Sequence, residues 1–252
     1  MRNLNALLAG VVASACALAL ISEGPALAQA ASATIAAAVA NPARPAADTA
    51  RDAARKPGEV LAFSRVKPGD KVLELIPGGG YFSRLFSGAV GPTGKVYAAA
   101  PGMNPETGKA VVAKPVDPAF ANVTPIVLGR TVAVPEPVDL IFTAQNYHDF
   151  HLSKLNLDVP GLDRGLFAAL KPGGLLIIED HAAVAGSDLT VPDKLHRINE
   201  DVVKKEVEAA GFVFDGESEV LRNPADPRTE NVFTPDIRGH TDQFLLRFRK
   251  PR

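Results

Sequence analysis

The stretch Lys71-Val72-Leu73-Glu74-Leu75-Ile76-Pro77-Gly78-Gly79-Gly80-Tyr81 decides the fold. Its first six residues carry four aliphatic side chains in a short run and read as a buried strand. Pro77 and the three glycines form a turn that a side chain could hardly occupy. From Tyr81 the pattern is helical through Val90, where Gly91 supplies a stop. Strand, glycine turn and helix make one βα unit. Its glycines let a ligand approach the backbone, and the helix start presents unpaired N–H groups. A tight strand-to-helix turn uses glycines for its own sake as well, so both readings stay open.

Outward from this unit the same alternation continues. Residues 95–99, 123–128, 138–144 and 174–179 read as strands, with helical stretches between several of them, and this order predicts a parallel sheet covered on both faces. A helix is expected over residues 192–210, followed by strands at 212–221 and 242–249 that form a late hairpin. Before the first strand, the helical pattern begins at Asp48, is broken at Pro57 and resumes over residues 59–66.

The N-terminus stands apart from the domain. Arg2 precedes an apolar run over residues 6–21, and Ala26-Leu27-Ala28 offers a small-x-small cleavage site, so residues 1–28 read as a signal peptide. The run is shorter than the roughly 20 residues a spanning helix needs, and no stable membrane insertion is expected after cleavage. Cys16 is the only cysteine and lies inside this segment, so the exported chain carries no thiol or disulfide. Ala13-Ser14-Ala15-Cys16 resembles a lipoprotein processing site, but the apolar run continues past it, and anchoring at Cys16 is the weaker reading. Residues 29–46, rich in Ala and Pro, read as a tether, and residues 47–252 as one domain. The expected location is the periplasm. A net charge of −1 provides no field for a polyanion, which argues against nucleic acid as a partner.

Polar residues gather at the predicted strand ends. The fourth strand runs into Gln145-Asn146-Tyr147-His148-Asp149-Phe150-His151, and the fifth ends in Glu179-Asp180-His181. His148 is a candidate general base, Asp149 can orient a ring, and His181 is a second acid or base. The alternatives are that His148 and Asp149 cap a helix and that Asp180 and His181 form a structural hydrogen bond. His148, His151, Asp180 and His181 also suit a divalent ion, but no HExxH or cysteine pair accompanies them, and no metal site is assigned. His196 reads as a solvated helix residue, Arg238 and Asp242 as an ion pair bracing the last turn, and Arg51 and Arg55 as a solvated face.

The order of these motifs resembles the class I S-adenosylmethionine-dependent methyltransferases. It is carried by Val72-Leu73-Glu74-Leu75 before a glycine turn, Val138-Asp139-Leu140-Ile141-Phe142, Leu170-Lys171-Pro172-Gly173-Gly174 and Ala209-Ala210-Gly211-Phe212. Gly78-Gly79-Gly80-Tyr81, Asn146-Tyr147-His148-Asp149, Asp180-His181-Ala182-Ala183, His196-Arg197-Ile198 and Arg238-Gly239-His240-Thr241-Asp242 are most similar to an exported bacterial group of predicted methyltransferases. The resemblance implies a Rossmann-like three-layer α/β sandwich, with a seven-stranded, mostly parallel sheet whose last strand is antiparallel. It implies S-adenosyl-L-methionine over the first two strands, near Glu74, Pro77, Gly78, Gly79, Gly80, Tyr81, Ala100 and Asn146. Glu74 would approach the methionine amino group, and Tyr81 would cover the cofactor. Two positions depart from the family: Ile76 stands where its glycine turn usually begins, and Ala98-Ala99-Ala100-Pro101 lacks the acid that grips the ribose. Asn104 and Glu106 are the candidate substitutes. The implied activity is methyl transfer to a small-molecule acceptor. The alternatives are an exported, non-catalytic binding protein on this fold and, from Gly78-x-Gly80-x-x-Ser83, a nicotinamide-dependent oxidoreductase.

Overall fold

The computed structural model describes residues 25–102, 117–129 and 132–252. Most of the expected signal peptide, with Cys16, and both Asn104 and Glu106 lie outside the described residues. One seven-stranded sheet runs in the order β3-β2-β1-β4-β5-β7-β6. Its strands are β1 (Lys71–Leu75), β2 (Lys95–Pro101), β3 (Val123–Leu128), β4 (Val138–Ala144), β5 (Leu170–His181), β6 (Val213–Ser218) and β7 (Gln243–Arg249). Strands β1 to β5 pair in parallel, and β7 inserts antiparallel between β5 and β6. The strand order reverses between β1 and β4, so the crevice for a ligand lies beyond Leu75 and Ala144.

Alternating side chains of the strands feed two cores. On one face Val72, Leu140, Phe142 and Leu245 pack against α4 (Pro57–Ser64) and α5 (Tyr81–Val90). There Phe142 meets Phe82 and Phe86 with ring centroids 4.6 and 4.9 Å apart. On the other face Leu73, Ile141, Leu176 and Phe248 pack against α6 (Val159–Ala169) and α8 (Glu200–Ala209). Helix α5 begins and ends where its glycines predict, with Gly80 in the left-handed conformation at the start and Gly91 at the stop.

Several expectations are corrected. Residues 29–46 are not a loose tether: α1 (Pro25–Val39) is a helix whose Ile35 and Ala38 are buried against the domain. A Cβ added to Gly88 of α5 would lie 2.8 Å from the Ala38 Cβ, so small residues on both helices allow the close approach. Alanine has the highest helix propensity and packs with little side-chain volume, a combination that leaves no apolar stripe to read. Arg44 reinforces the attachment through two hydrogen bonds to Asp52, at 2.6 and 2.9 Å. Two short helices follow, α2 (Ala46–Thr49) and α3 (Asp52–Arg55); the expected break falls at left-handed Lys56, and Pro57 opens α4 at its first turn.

The expected helix over residues 192–210 is two helices, α7 (Val191–Leu195) and α8. His196 adopts φ 52°, Ile198 makes a parallel bridge to Ala182, and Asn199 caps α8 by accepting from the Asp201 N–H. Between them Arg197 is wholly buried and reaches Asp226 at 2.7 and 3.1 Å. Asp242 pairs with Arg228 at 2.9 Å, not with Arg238, which lies over the Phe233 ring instead. No helix among the described residues is long and apolar enough to cross a membrane.

The pair also meets four backbone groups: Arg197 donates to the Glu230 and Ala182 carbonyls, and Asp226 accepts from the Arg228 and Asp242 N–H groups. Removing one member of such a buried pair strands the other charge. Arg197→Ala is expected to lower the unfolding free energy by about 3–5 kcal/mol in urea titrations, far more than Arg164→Ala at the exposed Asp158 pair.

Candidate active site

The crevice has two walls. The first is the tip of β1, where Ile76 turns into the left-handed region at φ 51°, followed by Gly78 at 54° and Gly80 at 80°. A β-branched residue is rarely found there, which matches a position that favours glycine. The Ile76 N–H donates to the Ala99 carbonyl, and its own carbonyl accepts from the Asn146 amide, so the turn is stitched to the tips of β2 and β4. Gly78 and Gly79 are exposed, and a Cβ on either would meet nothing within 4 Å. No side chain caps α5, leaving first-turn N–H groups without side-chain partners beside this open turn.

Glu74 is buried beneath the turn and accepts a hydrogen bond from Ser83. Burial pushes its pKa up to about 7, against the opposing pull of Ser83, Arg55 and Arg84. Tyr81 does not face the crevice from the turn: its hydroxyl donates to Asp52 at 2.7 Å, and the guanidinium groups of Arg51 and Arg55 lie 4.8 Å from its ring centroid. These arginines are therefore not a plain solvated face. Ala100 stands in β2 opposite Val127 and brings no polar group. Pro77 is half-buried and closes the turn by accepting from the Gly80 N–H.

The second wall is built on Asp180, wholly buried at the end of β5. One carboxylate oxygen accepts the His148 backbone N–H and the other accepts the His181 backbone N–H, each at 2.7 Å. The second oxygen also lies 2.7 Å from His148 Nδ1. His148 Nε2 is 3.2 Å from Asp149 Oδ1, and the His148 ring lies 5.9 Å from that of His181 and 5.4 Å from that of His196. Four of the expected residues, His148, Asp149, Asp180 and His181, thus come together. His151 does not join them; it pairs with Glu206 at 3.0 Å.

The two central imidazoles differ in charge state. Burial disfavours charge on His148, but Asp180 and Asp149 outweigh it and raise its pKa to about 10. Burial and the cations His148, Arg197 and Arg55 lower His181 to about 4, only partly opposed by Asp180. At neutral pH the raised pKa favours the His148 imidazolium, a proton donor. His181 is the uncharged ring, with Nδ1 2.7 Å from the Thr241 hydroxyl.

The sequence placed Glu179 and Gln145 at the strand ends without giving them a role, and His196, read as solvated, faces inward instead. Glu179 follows four aliphatic residues in β5, and an acid ending such a run is its only sequence signal. Gln145, at φ 59°, receives a hydrogen bond from Arg55 at 3.0 Å and faces Glu179 and Gln243. One oxygen of Glu179 is buried without a hydrogen-bond partner. Burial raises its pKa to about 7, with Arg55 opposing and Asp180 reinforcing. A carboxyl with a raised folded-state pKa costs nothing below its unfolded value, and its penalty grows as pH rises toward 7. Glu179→Gln is expected to stabilise the protein at pH 8 by on the order of 2–3 kcal/mol. The gain should vanish near pH 4 in urea titrations run across that range.

No protein-family model matches the chain, and no curated protein matches it in sequence. Solved structures do match. A SAM-dependent methyltransferase from Aquifex aeolicus is 20% identical, with 76% of this chain and 88% of that one covered at a TM-score of 0.51. The putative methyltransferase solved with the Trm112 activator of Haloferax volcanii is 14% identical, with 81% and 96% covered at 0.53. The N-methyltransferase NodS from Bradyrhizobium japonicum is 15% identical, with 81% and 97% covered at 0.51. The chain has the Rossmann-like fold of the class I SAM-dependent methyltransferases.

Proposed function

We propose that the chain is an S-adenosyl-L-methionine-dependent methyltransferase for a small-molecule acceptor. The observation that carries this reading is the switch point itself: an open glycine turn and an uncapped helix start at the tip of β1, with one protonated and one uncharged imidazole at the same sheet edge, after β4 and at the end of β5. The unpaired N–H groups of α5 suit a carboxylate, and the space above Gly78 and Gly79 admits a ligand against the backbone. When bound, S-adenosylmethionine supplies an electrophilic methyl group. The chain's part is to orient the acceptor, with uncharged His181 taking its proton and His148 holding negative charge through its imidazolium.

The ribose end fits less well, because Ala98, Ala99, Ala100 and Pro101 offer no carboxylate. Each missing charge-assisted hydrogen bond costs about 1.5–3 kcal/mol, so affinity is expected to be weak. Calorimetric titration of the full chain with S-adenosylhomocysteine should show saturable binding below millimolar concentration. Gly79→Leu, which places a side chain in open space at a position without positive φ, should abolish it and leave the melting temperature within about 2 °C. An absence of binding by the unaltered chain overturns the proposal. That bare β2 tip favours one second reading, an exported binding protein with a different ligand. Native mass spectrometry of the protein from its own cells separates the two, because a retained foreign ligand supports the second reading.

The proposal includes export to the cell envelope, supported by the basic and apolar N-terminal pattern. Mass spectrometry of envelope fractions should find a chain beginning at Gln29; an intact Met1 terminus would contradict it.

A further inference from the structure

We propose that His148, Asp149 and His196 form a binding site for a divalent first-row transition ion. The proposal does not rest on methyl transfer. His148 Nε2, Asp149 Oδ1 and His196 Nδ1 converge so that all three lie within 4.8 Å of one another. The individual separations from Asp149 Oδ1 are 3.2 Å to His148 and 3.7 Å to His196. Donors that each sit about 2.0–2.2 Å from one ion stand roughly 3–3.6 Å apart. Two of the contacts are therefore close to ligand spacing before any ion is added.

The surroundings fit ligation in three further respects. His148 Nδ1 is engaged by the buried Asp180 carboxylate, which fixes the ring and turns Nε2 toward Asp149. A carboxylate behind the far nitrogen of a ligating histidine raises its basicity and sets its tautomer. His196 reaches the cluster from a left-handed backbone position between α7 and the Ile198 bridge, and its ring is backed by Phe233 at 5.0 Å. Asp149 and His196 are partly exposed while His148 is buried, so the three donors form a cup with one side open to solvent.

Two imidazoles and one carboxylate suit zinc, iron(II) or cobalt(II) rather than magnesium or calcium. In the occupied site the ion takes the place of the proton on His148 Nε2. Three protein ligands leave coordination positions for water or for an oxygen, nitrogen or sulfur atom of a small molecule. The cup stands at the strand tips beside His181, where an acceptor bound to the ion would lie next to the uncharged ring.

The test uses the full chain, freed of metal by a chelator and titrated with cobalt(II) without any nucleotide. One saturable equivalent is expected, with visible d–d absorption that zinc(II) displaces. His196→Ala and Asp149→Asn, both at partly exposed positions, should each weaken the affinity more than about tenfold with unchanged melting curves. His240→Ala, at an exposed histidine elsewhere, should leave it unchanged. Absence of saturable cobalt binding, unaltered affinity in both ligand variants, or an equal loss in His240→Ala overturns the site. Because no nucleotide is present, these outcomes are independent of S-adenosylhomocysteine binding.

Discussion

A carboxylate at the tip of β5 organises the functional edge. Asp180 is cut off from water and must satisfy its charge from protein donors. It does so with two backbone N–H groups and one imidazole. Two of these donors belong to the segment after β4, so the charge holds that loop against β5 and draws His148 inward. His148 in turn stabilises the carboxylate, keeping Asp180 below its ordinary pKa although burial pulls the other way. The ring position and the charge of His148 follow from this one anion, whereas the His181 ring is held by Thr241 and kept uncharged by burial.

The opposite face of the sheet follows another logic. Glu74 and Glu179 also stand near the ends of their strands as buried acids, but each has thin compensation, a serine in one case and a distant glutamine in the other. Burial favours their neutral forms, with Arg55 the nearby cation common to both. Arg55 also stacks on Tyr81 and binds Gln145, so the short α3 carries a cationic cover across the tips of β1 and β4. One side of the crevice thus holds a fixed ion pair and the other holds acids poised near neutrality. Such uncompensated groups weaken a fold, and they concentrate where a site needs adjustable charge.

The scaffold was legible because local and global signals agreed at each strand. Val123–Leu128 and Val138–Ala144 stand where their apolar runs begin and end, and α5 lies between its glycines. The misses have physical reasons. The first helix, α1, packs through alanine and glycine, which no hydrophobic stripe reveals. The break at His196 depends on Arg197 reaching Asp226 and on Ile198 bridging Ala182, contacts made across distant parts of the chain. At the site, the convergence of His148 with His181 could be read from two polar strand ends. The charge on each ring could not, because it depends on burial weighed against Asp180, Asp149 and the nearby cations, which only the folded chain brings together. His196 looked solvated since its inward turn requires a backbone conformation that histidine seldom adopts.

Ile76 shows how these constraints meet. Left-handed backbone costs a residue with a Cβ roughly 1–2 kcal/mol, and a glycine would relieve it. Ile76 retains the conformation because both backbone groups are engaged and its side chain packs against the core of the α6 face. That packing directs the isoleucine away from the open space above Gly78 and Gly79. The Ile76 side chain is therefore absorbed by the sheet's other face, and the turn keeps its opening. What departs from the family pattern at this point is the source of the turn's rigidity, apolar anchoring in place of glycine freedom, while the approach to the backbone is preserved.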